Sequence, residues 1–160
     1  MTMPSSATLS GGNGKRLTSA HILRIPFPVD QVFPLFCPVR EQDWLDGWAY
    51  DMRYSASGIA EEHCVFTTEG AIWVATAYRP EHGHVAYLRV EPALAVTHLA
   101  ITCRPTNDGT TVDLGYRFTS LTPDGDAHIM ARQQASTAVA AWFERAIIHY
   151  LSTGTRLPKP

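Results

Sequence analysis

The strongest constraint on the fold lies in the last third of the chain, where no Gly or Pro interrupts the stretch from Ala127 to Leu151. Within it Ile129, Ala140, Phe143, Ile147 and Leu151 recur at helical steps, which predicts an amphipathic helix with one apolar stripe. About 25 residues at 1.5 Å each span about 37 Å, the width of a small domain. Such a helix needs a broad apolar surface to lie on. The short alternating strands before it can supply a curved sheet, and a sheet gripping a long terminal helix leaves an apolar cavity between the two. Ligand binding is therefore the leading functional expectation.

Period-two alternation predicts strands at Leu17–Ile25, Met52–Ala60, Cys64–Thr68, Ile72–Tyr78, His84–Val90, Ala95–Cys103 and Thr111–Thr119. The breaks between them carry turn chemistry, clearest at Asn107-Asp108-Gly109, whose residues tolerate positive φ. Six consecutive strands on short links make an antiparallel meander. After the first strand, Pro28 starts a short helix over Val29–Phe36, with Val29, Val32, Phe33 and Phe36 on one side. A second short helix or turn covers Glu41–Gly47, and Asp126 is the expected N-cap of the long helix. The fold class is α+β.

At 160 residues, 45% apolar and 18% charged, the chain fits one domain with a sizeable core. The expected boundaries are a flexible tail at 1–16, rich in Ser, Thr and Gly, one domain at 17–153 and a C-terminal tail at 154–160. A net charge of −2 with no Lys/Arg cluster argues against a nucleic-acid partner. No run of about 18 apolar residues is present, so the chain is not expected to be membrane-integral. Cys37, Cys64 and Cys103 are odd in number and form no CxxC pair; they read as free thiols, and the expected location is cytoplasmic.

The stretch Pro26-Phe27-Pro28-Val29-Asp30-Gln31-Val32-Phe33-Pro34-Leu35-Phe36 resembles the strand-to-helix passage of the START-like (SRPBCC) superfamily, and Trp142 to Leu151 fits the end of its long helix. That superfamily includes birch-pollen-allergen-type proteins, polyketide cyclases/dehydrases and lipid-transfer domains. The resemblance covers roughly Leu17 to Leu151. It implies a helix grip: a curved antiparallel sheet of about seven strands wrapped around a long C-terminal helix, with two short helices after strand 1. Because the superfamily spans enzymes, carriers and ligand sensors, the fold leaves the activity open.

The residues expected to line a cavity are Trp44, Trp48, Trp73, Tyr87, Leu99, Ile101, Tyr116, Phe118, Ile129, Phe143 and Ile147. Trp44 and Trp48, four apart, either form a lid over a ligand or staple their helix to the core. For an enzyme of cyclase, dehydratase or hydrolase type, Tyr116, His98, Glu41 and Asp43 are the proton-transfer candidates, with Arg40 and Arg53 as carboxylate partners. His98 faces outward if Leu99 and Ile101 face the helix; the opposite register puts it in the cavity.

His82 and His84 sit at a turn with no third ligand nearby in sequence, and no metal or cofactor is expected. Nucleophile elbow, phosphate loop and dinucleotide fingerprint are all missing from the sequence. The first reading is thus a binding module for a small hydrophobic molecule of lipid, polyketide or aromatic type, more a binder than an enzyme. An enzyme in the same cavity is the alternative, and a co-chaperone-like interaction module, using the outer sheet face or the Trp44/Trp48 segment, is the third. Pairing of two copies through sheet edges stays open.

Overall fold

Residues 14–160 are described in the computed structural model, so the tail expected at 1–16 falls almost wholly outside the described residues. Strand β1 (Arg16–Ile25) leads into helix α1 (Val29–Val32), a 3₁₀ turn (Phe33–Phe36) and helix α2 (Pro38–Trp44). Strands β2 (Asp51–Tyr54), β3 (Val65–Thr68), β4 (Ala71–Arg79), β5 (His84–Glu91), β6 (Ala95–Thr106) and β7 (Gly109–Ser120) follow, and helix α3 (Pro123–Thr153) closes the chain. The sheet order is β1-β7-β6-β5-β4-β3-β2, antiparallel at every pairing. This is the meander of six strands with β1 closing on its last member. Register shifts between Ala75 and Ala77 on β4 and between Met52 and Tyr54 on β2 mark bulges, which bend and twist a sheet.

Several boundaries differ from the sequence reading, each for a local reason. The helix expected over Val29–Phe36 splits at Pro34, which has no N–H for the helical ladder, and the second half tightens to 3₁₀. Helix α2 begins at Pro38 rather than Glu41, with Pro in the first turn, where its missing N–H costs nothing. Strand β2 ends at Tyr54 rather than Ala60, because the Glu61 carboxylate accepts the backbone N–H groups of Ala56 and Ser57 and folds the segment into a loop. The N-cap of α3 is Thr122 and not Asp126: Thr122 Oγ1 accepts from the Gly125 amide at 3.1 Å, and Pro123 occupies the first turn.

The core lies between the concave sheet face and α3. Inward side chains alternate along the strands: Leu23 and Ile25 on β1, Val85 and Tyr87 on β5, Ile101 and Cys103 on β6, Val112, Leu114 and Phe118 on β7. Helix α3 answers with Ile129, Ala140, Trp142, Ala146 and Ile147, a wider buried face than the single stripe expected. Helix α2 is stapled across one end. Trp44 is fully buried and donates its indole N–H to the Leu35 carbonyl at 2.8 Å, while Trp48 donates to the Pro38 carbonyl at 2.9 Å. Residues 154–160 lie over α2, with the Lys159 amide bonded to Asp46 at 2.9 Å and Leu157 packed on the core.

Candidate functional site

A cavity of about 250 Å³ lies where the sheet, α2 and α3 meet. Its sheet wall is Phe66 of β3, Trp73 of β4, Tyr87 and Arg89 of β5, Leu99 and Ile101 of β6, and Leu114 and Tyr116 of β7. Phe36, Glu41, Leu45 and Trp48 close it on the α2 side, and Arg132, Val139 and Phe143 on the α3 side. The aromatic members brace one another: Phe66 stacks on Trp73 with centroids 5.5 Å apart, and Trp48 meets Trp73 edge to face at 6.2 Å. Such geometry favours a rigid wall over one that collapses into the space.

Polar groups enter this lining at two places. On the α2 side Glu41 lines the cavity together with Tyr87 and Tyr116. Desolvation raises its pKa from 4.5 to about 8, so at neutral pH the carboxyl is mostly protonated. Burial likewise lifts Tyr116 to about 12 and Tyr87 well above an ordinary phenol, the Glu41 charge adding to both shifts. Tyr87 donates to the Phe36 carbonyl at 2.9 Å, which ties β5 to the chain ahead of α2.

At the other end Arg89 and Arg132 share the carboxylate of Glu91, a residue only 7% exposed. Arg89 Nη2 lies 3.2 Å from Glu91 Oε1 and Arg132 Nη1 3.1 Å from Oε2, while His128 Nε2 lies 3.0 Å from Oε1. Burial pulls the Arg89 pKa below its ordinary value, opposed by the Glu91 charge.

No protein-family model matches the chain, and no curated protein matches it. Solved structures do. Norcoclaurine synthase from Thalictrum flavum, in complex with dopamine and hydroxybenzaldehyde, aligns over 94% of this chain and 95% of its own with a TM-score of 0.65 at 11% identity. Ara h 8.0201 aligns over 87% of this chain and 99% of its own, with a TM-score of 0.62 at 14% identity. CalU16 from Micromonospora echinospora covers 84% and 76%, with a TM-score of 0.59 at 16% identity. The chain shares the helix-grip fold of these structures.

Within this helix grip, Trp48, Trp73, Tyr87, Leu99, Ile101, Tyr116 and Phe143 come together at the cavity. Trp44, Phe118, Ile129 and Ile147 do not line it; all four are buried in the packed core around it. Of the proton-transfer candidates, Glu41 and Tyr116 share the cavity. Asp43 instead pairs with Arg40 at 2.7 Å on the outside of α2, and His98 points to the outer sheet face, as alternation with Leu99 and Ile101 requires. Neither Trp44 nor Trp48 offers an outward apolar patch, since both are packed inward.

His84 Nδ1 pairs with Thr102 Oγ1 at 2.9 Å, and His82 ends a 3₁₀ turn. No three potential metal ligands converge among the described residues. Cys64 and Cys103 are buried, and burial lifts the thiols of Cys37 and Cys103, the latter to about 12, which disfavours a reactive thiolate at either. No described helix is long and apolar enough to cross a membrane.

Sequence reasoning missed Phe36, Leu45, Phe66 and Leu114 among the apolar lining, and Arg89, Arg132 and Val139 besides. The signal for Arg89 was its position two residues after Tyr87 and two before Glu91, on the face that Val85 and Tyr87 commit to the core.

Proposed function

We propose that this protein binds a small hydrophobic molecule of one or two rings in the cavity between sheet and α3. The observation that carries the reading is the partly enclosed, aromatic-walled space of about 250 Å³. Pockets for drug-sized ligands run from about 300 to 1,000 Å³, so this one favours a compact ring system over a long acyl chain. Norcoclaurine synthase, which shares the fold, was solved with the single-ring compounds dopamine and hydroxybenzaldehyde, and that supports the size class. A single ring burying about 200 Å² at about 25 cal/mol per Å² gains about 5 kcal/mol, before the cost of association. Polar contacts must supply the rest of any useful affinity.

Titration calorimetry with a panel of one- and two-ring compounds tests the reading. Saturable one-to-one binding is expected, lost in Leu99→Trp, which fills the space from the sheet while leaving the native circular dichroism intact. Failure of the whole panel to bind the parent protein at millimolar concentration would overturn it.

A second reading, proton transfer on the bound molecule, is favoured by Glu41. A carboxyl with pKa about 8 in the cavity lining is matched to acid-base work near neutrality. Product formation in the same titrations separates an enzyme from a binder.

A further inference from the structure

We propose that the ligand of this cavity carries a carboxylate, held by Arg89 and Arg132 at the end where β5 faces α3. The inference rests on the cavity being a ligand site and adds the chemical class of what fills it. Both arginines line the cavity. Each guanidinium lies by an aromatic ring, Arg89 with its centre 5.4 Å from the Trp73 centroid and Arg132 5.7 Å from that of Phe118. A ring face engages the guanidinium through its charge and leaves the N–H donors at its edge unused. Glu91 takes one nitrogen from each arginine. Arg89 Nε and Nη1 are then buried with no partner.

A second orphan lies beside them. Thr97 stands opposite Arg89 in the β5–β6 register, on the same sheet face, and its Oγ1 is also buried without a partner. Buried donors of a charged group are costly to leave unpaired, and buried polar groups in native proteins are nearly always satisfied. A ligand oxyanion satisfies them with the fork geometry that guanidinium matches best.

The charge count sets the kind of anion. Two guanidinium cations share one carboxylate with the imidazole of His128, so with that ring neutral one positive charge is in excess inside a largely apolar wall. A monoanionic carboxylate neutralises it, whereas a phosphate monoester dianion would leave negative charge buried. The apolar remainder of the ligand then lies along Trp73, Leu99 and Tyr116 toward Glu41.

Phenylacetate and phenylacetamide, which differ in charge but hardly in shape, test this by calorimetry at pH 7.5 and low salt. The acid is expected to bind at least tenfold more tightly than the amide, and Arg89→Gln is expected to bring that ratio to about twofold or less. Arg132→Gln, whose parent side chain is partly in solvent, reads the same ratio if Arg89→Gln does not fold. Arg117→Gln, on the outer face of β7, removes the same charge away from the cavity and should leave the ratio as it is. Equal or tighter binding of the amide overturns the carboxylate and leaves the cavity reading standing. An acid preference that survives in both Arg89→Gln and Arg132→Gln overturns it as well. If neither compound binds at millimolar concentration while an uncharged member of the wider panel does, the carboxylate falls alone; if the whole panel fails, the cavity reading falls with it.

Discussion

At Glu41 a carboxyl lines the cavity together with Tyr87 and Tyr116, and desolvation alone raises its pKa from 4.5 to about 8. Between those values the folded protein keeps a proton that the unfolded chain has released, so stability falls as pH rises through that window. The full contribution is present below about 4.5 and gone above about 8, and a displacement of this size corresponds to roughly 5 kcal/mol at most. Glu41→Gln replaces the protonated carboxyl with a neutral group of similar shape that has nothing to ionise. Thermal melts from pH 5 to 8.5 should show the parent losing stability and the variant staying nearly level, with the variant the more stable at the alkaline end. Parallel curves would assign the pH dependence to another group. Arg89 poses the opposite problem at the same scale, a largely buried group that keeps its charge beside the Glu91 carboxylate.

At the scale of elements, α3 is positioned by its first turn. A Cβ built on Gly125 would stand 2.0 Å from the Leu94 carbonyl oxygen, which is itself fixed by accepting the Leu121 amide at 2.8 Å. The helix packs this closely only because residue 125 has no side chain. Gly125→Ala is expected to lift the start of α3 and cost about 1–3 kcal/mol, read as a lower urea midpoint at unchanged slope; a parent-like midpoint would mean that the helix start has slack. The elements themselves were legible in the sequence, because turn residues and alternation agree at nearly every link. Asn107-Asp108 is a two-residue hairpin, and Gly109 follows it at φ 143°. The boundaries that shifted are those where one side chain outcompetes the backbone pattern: Thr122 capping α3, Glu61 closing the loop after β2, Pro34 splitting the first helix. The aromatic wall was legible in part, since Trp73, Tyr87 and Tyr116 lie on the inward face of their strands. Arg89 was not, because a charged residue between Leu88 and Val90 reads as outward on polarity alone. Alternation from Val85 and Tyr87 turns it inward all the same, opposite the buried Thr97 of β6.

For the molecule as a whole, a cavity held between a sheet and a helix must open somewhere, and Val139 marks where. It lines the cavity and is also 39% exposed, so at this point on α3 the wall is one side chain thick. Ser136, one turn earlier, is buried and bonded to His21 at 3.0 Å, and Phe143, one turn later, packs edge to face on Trp44 at 5.4 Å, so the helix on either side is pinned. Access beside Val139 then needs only side-chain rotation, without separation of α3 from the sheet. Val139→Trp places a large side chain over the opening without burying a polar group, and the two residues have similar helix propensity, so stability should change by no more than about 0.5 kcal/mol. Stopped-flow quenching of the Trp48 and Trp73 fluorescence by an aromatic ligand is expected to show association and dissociation both slowed about tenfold, with the equilibrium constant nearly conserved. A mouthless path, in which α3 must lift to admit the ligand, would leave both rates at the parent value in Val139→Trp and would instead make them respond to Gly125→Ala, which loosens the start of the helix. The two variants together thus separate a gate of one side chain from a hinge of the whole grip.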